Sequence, residues 1–280
     1  MSSSGSNSVW RNHANQWDKF GPPLRPSIRD GELMMEAVRA ALSEKSDPLT
    51  VAILGVTPQV ISLPWPAYVR LEAFDQSAEM IATVWRPAAH VPSSATQARW
   101  QCLPLSNQSV RIVVGDASLN ALPRLSEYSE VLSELVRVLE KNGIVGVRCY
   151  IRPDANEVLE QIAVDAFAGK ILGFHALKWR IAMALSHGPE FSVAVADILA
   201  AFETLFPDRD ALARVTGWPL DVIDMIDAYR GANVRYNFPT MGAFQTACAP
   251  YFVVDDVAYG EGELAERCPT VRLRILERNR

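Results

Sequence analysis

At 280 residues the chain is long enough for one large domain, or a domain with a sizeable insertion, and needs no disulfide or metal to complete a core. Its 27 basic and 32 acidic residues leave a net charge of −5, which argues against a general binder of nucleic-acid phosphates. No run of about 20 apolar residues marks a membrane span, and Cys102, Cys149, Cys248 and Cys268 form no CxxC pair, so neither a zinc site nor a disulfide is indicated.

The start of the chain, MSSSGSNS, is polar, has no apolar stretch of a signal peptide and reads as a disordered tail. A soluble, cytoplasmic protein is expected. Trp10 and Trp17 lie seven apart, on one helical face, before a break at Gly21, Pro22 and Pro23. Ser27 is placed to cap a helix running through LMMEAVRAAL. This N-terminal part either packs on a sheet or caps a cleft, and as a cap it would turn Arg25 toward a carboxylate.

Residues 49–75, LTVAILGVTPQVISLPWPAYVRLEAFD, carry the strongest pattern. The apolar, β-branched run 50–54 fits a buried parallel strand and stops at Gly55, where a backbone without a Cβ turns sharply. Pro58 suits the first turn of a helix. A second run, 68–74, ends on Asp75, about 20 residues past the glycine turn, where an acid can accept hydrogen bonds from a ribose. The pair suggests an adenosine ligand. The plainer alternatives are a turn glycine and a helix N-cap.

After Asp75, the segment QSAEMIATVW puts Met80, Ile81 and Val84 on one helix face. A weak third strand is expected near 99–103, and a clear fourth over 110–114 that ends in Gly115 and Asp116, at the strand end where open α/β sheets bind ligands. Asp116 has a plainer reading as a cap on the turn. Residues 128–141 form an amphipathic helix stopped by Asn142-Gly143, and a strand follows over 144–151. Strand and helix alternating in this way predict a parallel sheet wound with right-handed crossovers.

From 153 to 238 helix follows helix with no strand signal, over a length too great for an ordinary connection. A short helix at 241–248, then YFVVDDVAYG and CPTVRLRILER, restore the sheet as a terminal antiparallel pair. The predicted organisation is a tail and N-terminal helical cap (1–47), an α/β core (48–152 with 239–280) and a helical insertion (153–238) serving as a substrate lid.

In this order VAILGVTPQ, FDQSAEMI, VGDASLNALP and LVRVLEKNGIVGVRCY resemble the first, second and fourth motifs and the fifth strand of class I S-adenosylmethionine-dependent methyltransferases. The two closing segments resemble that family's last strands. The likeness covers roughly residues 17–280 and is weakest over the insertion. It implies an α/β fold: a doubly wound, Rossmann-like, mostly parallel sheet with an antiparallel last strand, plus the cap and the insertion. The implied cofactor is S-adenosyl-L-methionine.

Two departures from the family's pattern shape the expected site. Ile53 stands where the first motif has an acid, and Val56, Thr57, Pro58 and Gln59 follow Gly55 in place of further glycines. Backbone N–H groups of Val56 and Thr57, with Arg25 or Asp116, would then serve the methionine part. Arg99 falls where an acid often meets the adenine amino group, leaving Trp100 or Met80 to cover the ring. Trp17, Gln76, Gly115 and Ala117 complete the expected cofactor set beside Gly55 and Asp75.

The resemblance implies methyl transfer to an O or N nucleophile of a small or medium organic acceptor, without nucleic-acid or membrane partners. No residue stands out as a catalytic base, and His175, Asp116 and Tyr236 are the candidates. His13, His90, His175 and His187 show no metal spacing. Phe174, Trp179, Phe191 and Phe202 suit either an acceptor pocket or the insertion's own core, while Trp65, Trp85, Trp179 and Trp218 read as packing groups. Asp255 and Asp256 read as the solvated face of a late strand. Three alternatives stay open: a non-catalytic relative that binds the cofactor or a partner protein, an NAD-dependent oxidoreductase lacking GxGxxG, and a nucleotide hydrolase lacking GxxxxGK[ST].

Overall fold

The computed structural model describes residues 17–42 and 48–276, apart from the side chain of Asp18. The tail, Trp10 and His13 lie outside the described residues. After a 3-10 turn at Trp17–Lys19, helix α1 (Ile28–Val38) starts at Ser27, whose hydroxyl accepts from the Asp30 N–H while the Asp30 carboxylate accepts from the Ser27 N–H. This capping box satisfies two groups that a helix start otherwise leaves unpaired.

The first strands and helices are β1 (Leu49–Leu54), α2 (Pro58–Ile61), β2 (Val69–Asp75), α3 (Ala78–Thr83) and β3 (Ser93–Gln97). The strand expected near 99–103 is therefore displaced. Residues 99–102 make only an isolated bridge between Arg99 and Cys102. The reason lies in the sheet: β3 is its outermost strand, pairs only with β2 and reads SSATQ, so it carries no apolar run to betray it.

Next come β4 (Val110–Asp116), α4 (Tyr128–Val138) and β5 (Leu139–Arg148). The helix stops three residues short of the expected end. Val110 pairs with Leu139, the register then shifts, and Ile112 pairs with Ile144, so Asn142-Gly143 lies in an irregular stretch of β5 and does not end the helix. Residues 153–238 hold α5 (Leu159–Phe167), α6 (Phe174–Leu185), β6 (Ser192–Ala194), α7 (Val195–Leu205), α8 (Arg209–Thr216), α9 (Leu220–Ile223) and β7 (Arg235–Asn237). The expectation of helices alone is corrected here. β6 and β7 pair antiparallel as a separate two-stranded sheet, each too short to leave a period in the sequence. The chain closes with α10 (Met241–Cys248), β8 (Phe252–Ala258) and β9 (Thr270–Ile275).

The main sheet has the order β3-β2-β1-β4-β5-β9-β8. The first five strands are mutually parallel, and β9 runs antiparallel to both β5 and β8. This is the doubly wound, Rossmann-like sheet with an antiparallel last strand that the resemblance implies. One face packs Met34 and Val38 of α1, Val60 of α2 and Met80 of α3. The other packs Val131, Leu132 and Leu135 of α4 with Phe244 and Cys248 of α10. A further core, around Phe174, Leu177, Ile198, Phe202 and Phe238, is built mainly from residues 153–238.

Two buried asparagines join that core to the sheet. Asn237 on β7 donates to the carbonyls of Leu119 and Leu122 and accepts from the Tyr128 hydroxyl at 2.9 Å. Asn120 donates to the carbonyls of Tyr150 and Asn237 and accepts from the Tyr150 N–H. Replacing Asn237 by Leu strands a hydroxyl and two carbonyls, and is expected to remove about 3 kcal/mol or more of stability. Urea unfolding at an unchanged m-value measures it; a loss below about 1 kcal/mol would show that the network contributes little.

Candidate functional site

The carboxyl ends of β1, β2 and β4 open into a cavity with about 860 Å³ of empty space, its mouth included. On the sheet side it is lined by Gly55, Val56, Thr57, Asp75, Met80, Trp100, Asp116 and Ala117, with Trp17 from the N-terminal turn. Nine of the twelve cofactor residues expected from the sequence thus converge.

Gly55 has φ +101°, a conformation that L side chains rarely adopt, and a Cβ built there would sit 4.0 Å from an Asp75 carboxylate oxygen. The positive φ accounts for the glycine, and the position lies within ordinary contact distance of the acid. The Gly55 N–H donates to the Phe74 carbonyl and fastens the two strand ends together. Asp75 accepts from the Ser77 N–H at 2.8 Å, while Ser77, not Asp75, caps α3. Burial pushes the Asp75 carboxyl up to about 6, against the pull of the Ser77 N–H. The Trp100 indole donates to the Phe74 carbonyl at 2.7 Å, which fixes its ring at the same corner.

The other three expected cofactor residues lie elsewhere. Gly115 is buried within β4, where a Cβ would meet the Ser118 hydroxyl at 2.5 Å, so its smallness serves the close approach of that turn. Gln76 is exposed and borders an adjoining depression with Arg99 and Gln101. Arg25 is half-buried, does not line the cavity, and lies near enough to His175 to oppose that residue's protonation.

Asp116 reaches the cavity but is already engaged. Its side chain is 4% exposed and accepts from Arg148 Nε at 2.6 Å, and the Arg148 side chain is 1% exposed. Burial pushes the Asp116 carboxyl up while the guanidinium opposes the shift. Arg148 also donates to the Pro23 carbonyl and approaches Asp30 at 3.7 Å, tying the N-terminal segment to β4 and β5. Asp116 thus anchors Arg148 at the end of β4.

The rest of the lining holds Trp179 and Tyr236, which the sequence singled out, among residues it did not. It includes Tyr150, Lys178, Trp179, Tyr229, Tyr236 and Phe238. Trp179, for which the sequence leaves both an acceptor pocket and packing open, lines the cavity while meeting Tyr150, Tyr236 and Phe238 in T-shaped contacts at 5.3, 5.7 and 5.3 Å. Tyr236 lines the cavity, but burial raises its hydroxyl pKa, so it remains protonated. His175 does not line it. The imidazole packs 5.6 Å from Phe20, and burial lowers its pKa to about 3, which leaves it neutral and structural. Trp65 donates to the Val60 carbonyl within the core, and Asp255 is paired with Arg272 and Arg274 along β8 and β9. Among the described residues no cluster of three or more His, Cys, Asp or Glu side chains could hold a metal ion, and no helix is long and apolar enough to cross a membrane.

Arg148→Met leaves Asp116 buried without its cation and is expected to cost about 3 to 5 kcal/mol. Asp116→Leu added to it should restore much of that loss. A double-mutant cycle by denaturant unfolding measures the coupling, and strictly additive losses would mean that the pair does not act as a unit.

No family model matches the chain, and no curated protein matches it. Solved structures do. A Rhodobacter sphaeroides protein named as a Zn-dependent alcohol dehydrogenase superposes with TM-score 0.63 at 11% identity, over 98% of this chain and 100% of its own. The N-methyltransferase NodS of Bradyrhizobium japonicum WM9, in complex with S-adenosyl-L-homocysteine, gives 0.49 at 12% identity, over 97% and 100%. A SAM-dependent methyltransferase of Methanosarcina mazei gives 0.47 at 14% identity, over 83% and 94%. At 11% identity the likeness to the Rhodobacter sphaeroides protein is one of fold alone.

Proposed function

We propose that the chain is an S-adenosylmethionine-dependent methyltransferase acting on an O or N nucleophile of a small or medium organic acceptor. One observation carries the reading: Gly55, at φ +101°, turns the backbone beside the half-buried Asp75 carboxylate, at the carboxyl ends of adjacent parallel strands. In this reading Asp75 accepts from the ribose hydroxyls, Met80 and Trp100 flank the adenine, and the backbone of Gly55, Val56 and Thr57 lies along the amino-acid part. Trp17 and Ala117 complete the cofactor's surroundings.

The sulfonium of the cofactor supplies an already electrophilic methyl group. What remains for the chain is to orient the acceptor and exclude water, which is worth up to about 7 to 11 kcal/mol in favourable cases. The aromatic wall from Tyr150 to Phe238 is suited to both tasks, and residues 153–238 act as the substrate lid. Neither Asp116, engaged by Arg148, nor His175, outside the cavity, serves as a base in this scheme. The absence of a basic excess supports a small-molecule acceptor over a nucleic acid.

Calorimetric titration with S-adenosyl-L-homocysteine and with NAD tests the cofactor class. Binding of NAD alone would replace this reading with an oxidoreductase. Gly55→Val is expected to abolish binding of S-adenosyl-L-homocysteine in a protein that still folds, since strain at such a turn costs about 1 to 3 kcal/mol. The sign of the test is a melting temperature that no longer rises with ligand.

Asp75 makes the affinity depend on pH. Its pKa in the free folded state, about 6, exceeds the ordinary carboxyl value, so its ionisation destabilises the free protein progressively as pH rises from about 4 to 6. A ribose that bonds the carboxylate favours the ionised form. Binding of S-adenosyl-L-homocysteine should therefore weaken about tenfold between pH 7 and pH 5. Asp75→Asn should bind weakly with a flat profile over that range; a pH-independent wild type would remove Asp75 from the site.

A further inference from the structure

Lys178 is a cation without a visible reason to be where it is. It lies on α6, is 2% exposed, and lines the same cavity as Gly55 and Asp75. Its Nζ sits 5.1 Å from the Tyr229 ring centroid, 5.4 Å from that of Trp179 and 5.8 Å from that of Phe20. Ring faces at such distances favour a positive charge, but more weakly than a carboxylate would in a desolvated setting.

No described carboxylate pairs with this ammonium. The two acids that line the cavity are used elsewhere, Asp116 by Arg148 and Asp75 by the Ser77 N–H. Burial alone therefore pulls the Lys178 amine down to about 7, poised between charged and neutral forms. A buried charge lacking a counterion is costly, and an anion arriving from the cavity removes that cost. The surrounding walls accept flat rings: Trp179, Tyr236 and Phe238 stand edge to face, with Tyr150 beside them.

We propose that Lys178 binds an acidic oxygen on a planar ring, so that the methyl acceptor is an aromatic acid, carboxylate or phenolate, taken up as its anion. The identity of the second ligand as a methyl acceptor rests on the methyltransferase reading; the anion site itself does not. Lys178 is a binding residue here, and it fixes which edge of the ring is turned away from solvent.

The test uses the full chain and two pairs of probes, benzoate against benzamide and 4-nitrophenol against nitrobenzene, titrated with and without saturating S-adenosyl-L-homocysteine. Wild type is expected to bind at least one acid about tenfold or more tighter than its neutral counterpart, a difference of about 1.4 kcal/mol. A preference confined to benzoate assigns a carboxylate; one confined to 4-nitrophenol, with the phenolate absorption band present in the bound state, assigns a phenolate. Lys178→Met should abolish the preference and Lys178→Arg should keep most of it, with S-adenosyl-L-homocysteine affinity within about twofold of wild type in both.

Equal affinity for acid and neutral probe, no binding of either acid, or a preference that survives in Lys178→Met overturns the proposal. If Lys178→Met does not fold, the wild-type preference and its retention in Lys178→Arg decide. The underlying reading fails separately: wild type that ignores S-adenosyl-L-homocysteine but prefers the acids retains the anion site and loses the methyltransferase.

Discussion

The buried pair of Arg148 and Asp116 is the constraint on which the rest of the molecule depends. Asp116 ends β4 and Arg148 ends β5, and they lie opposite each other in the parallel register. Through the Pro23 carbonyl and the nearby Asp30 carboxylate, the same guanidinium also reaches the segment before α1 and its first turn. One side chain thus sets where the N-terminal segment lies across the sheet edge. A buried ion pair of this kind gives little net stability against a well-packed apolar substitute, yet it is intolerant of losing one member. What it contributes is position: Phe20 and Leu24, carried by that segment, become part of the cavity wall.

The second constraint is polar and connects residues 153–238 to the sheet. Asn120 follows β4 and Asn237 ends the small sheet, and between them they occupy the backbone groups of Leu119, Leu122 and Tyr150 and the Tyr128 hydroxyl. Buried amides with their donors and acceptors engaged permit one arrangement and penalise others. The aromatic wall therefore faces the strand ends in a fixed orientation. Cation and carboxylate then line a single cavity, Lys178 among rings and Asp75 beside a glycine turn.

Much of this could be read from the chain before folding. The run ending in Gly55 and the run ending in Asp75 were legible because a parallel strand buried on both faces must be apolar and because a sharp turn beside a ligand needs glycine. Ser27 as a helix cap, the fourth strand and the closing antiparallel pair were legible for similarly local reasons. β3 escaped because an edge strand pairs on one side only and has no need of apolar residues. β6 and β7 escaped because three residues carry no period. Asp116 was correctly brought to the cavity edge, but its engagement by Arg148 depends on a register between strands that spacing along the chain does not encode.

By itself the sequence determined the alternation of strand and helix, the doubly wound sheet, and the glycine and acid at the ends of its first two strands, since each follows from short-range pattern and backbone geometry. Only the tertiary structure decided that Asp116 is an anchor, that His175 stays outside the cavity, and that Trp179 faces into it. It also decided that Lys178 is buried without a described counterion. A helix such as α6, apolar on nearly every face, offers no periodic signal to distinguish the side that packs from the side that faces a ligand. That distinction arises only when separate segments of the chain close around a shared space.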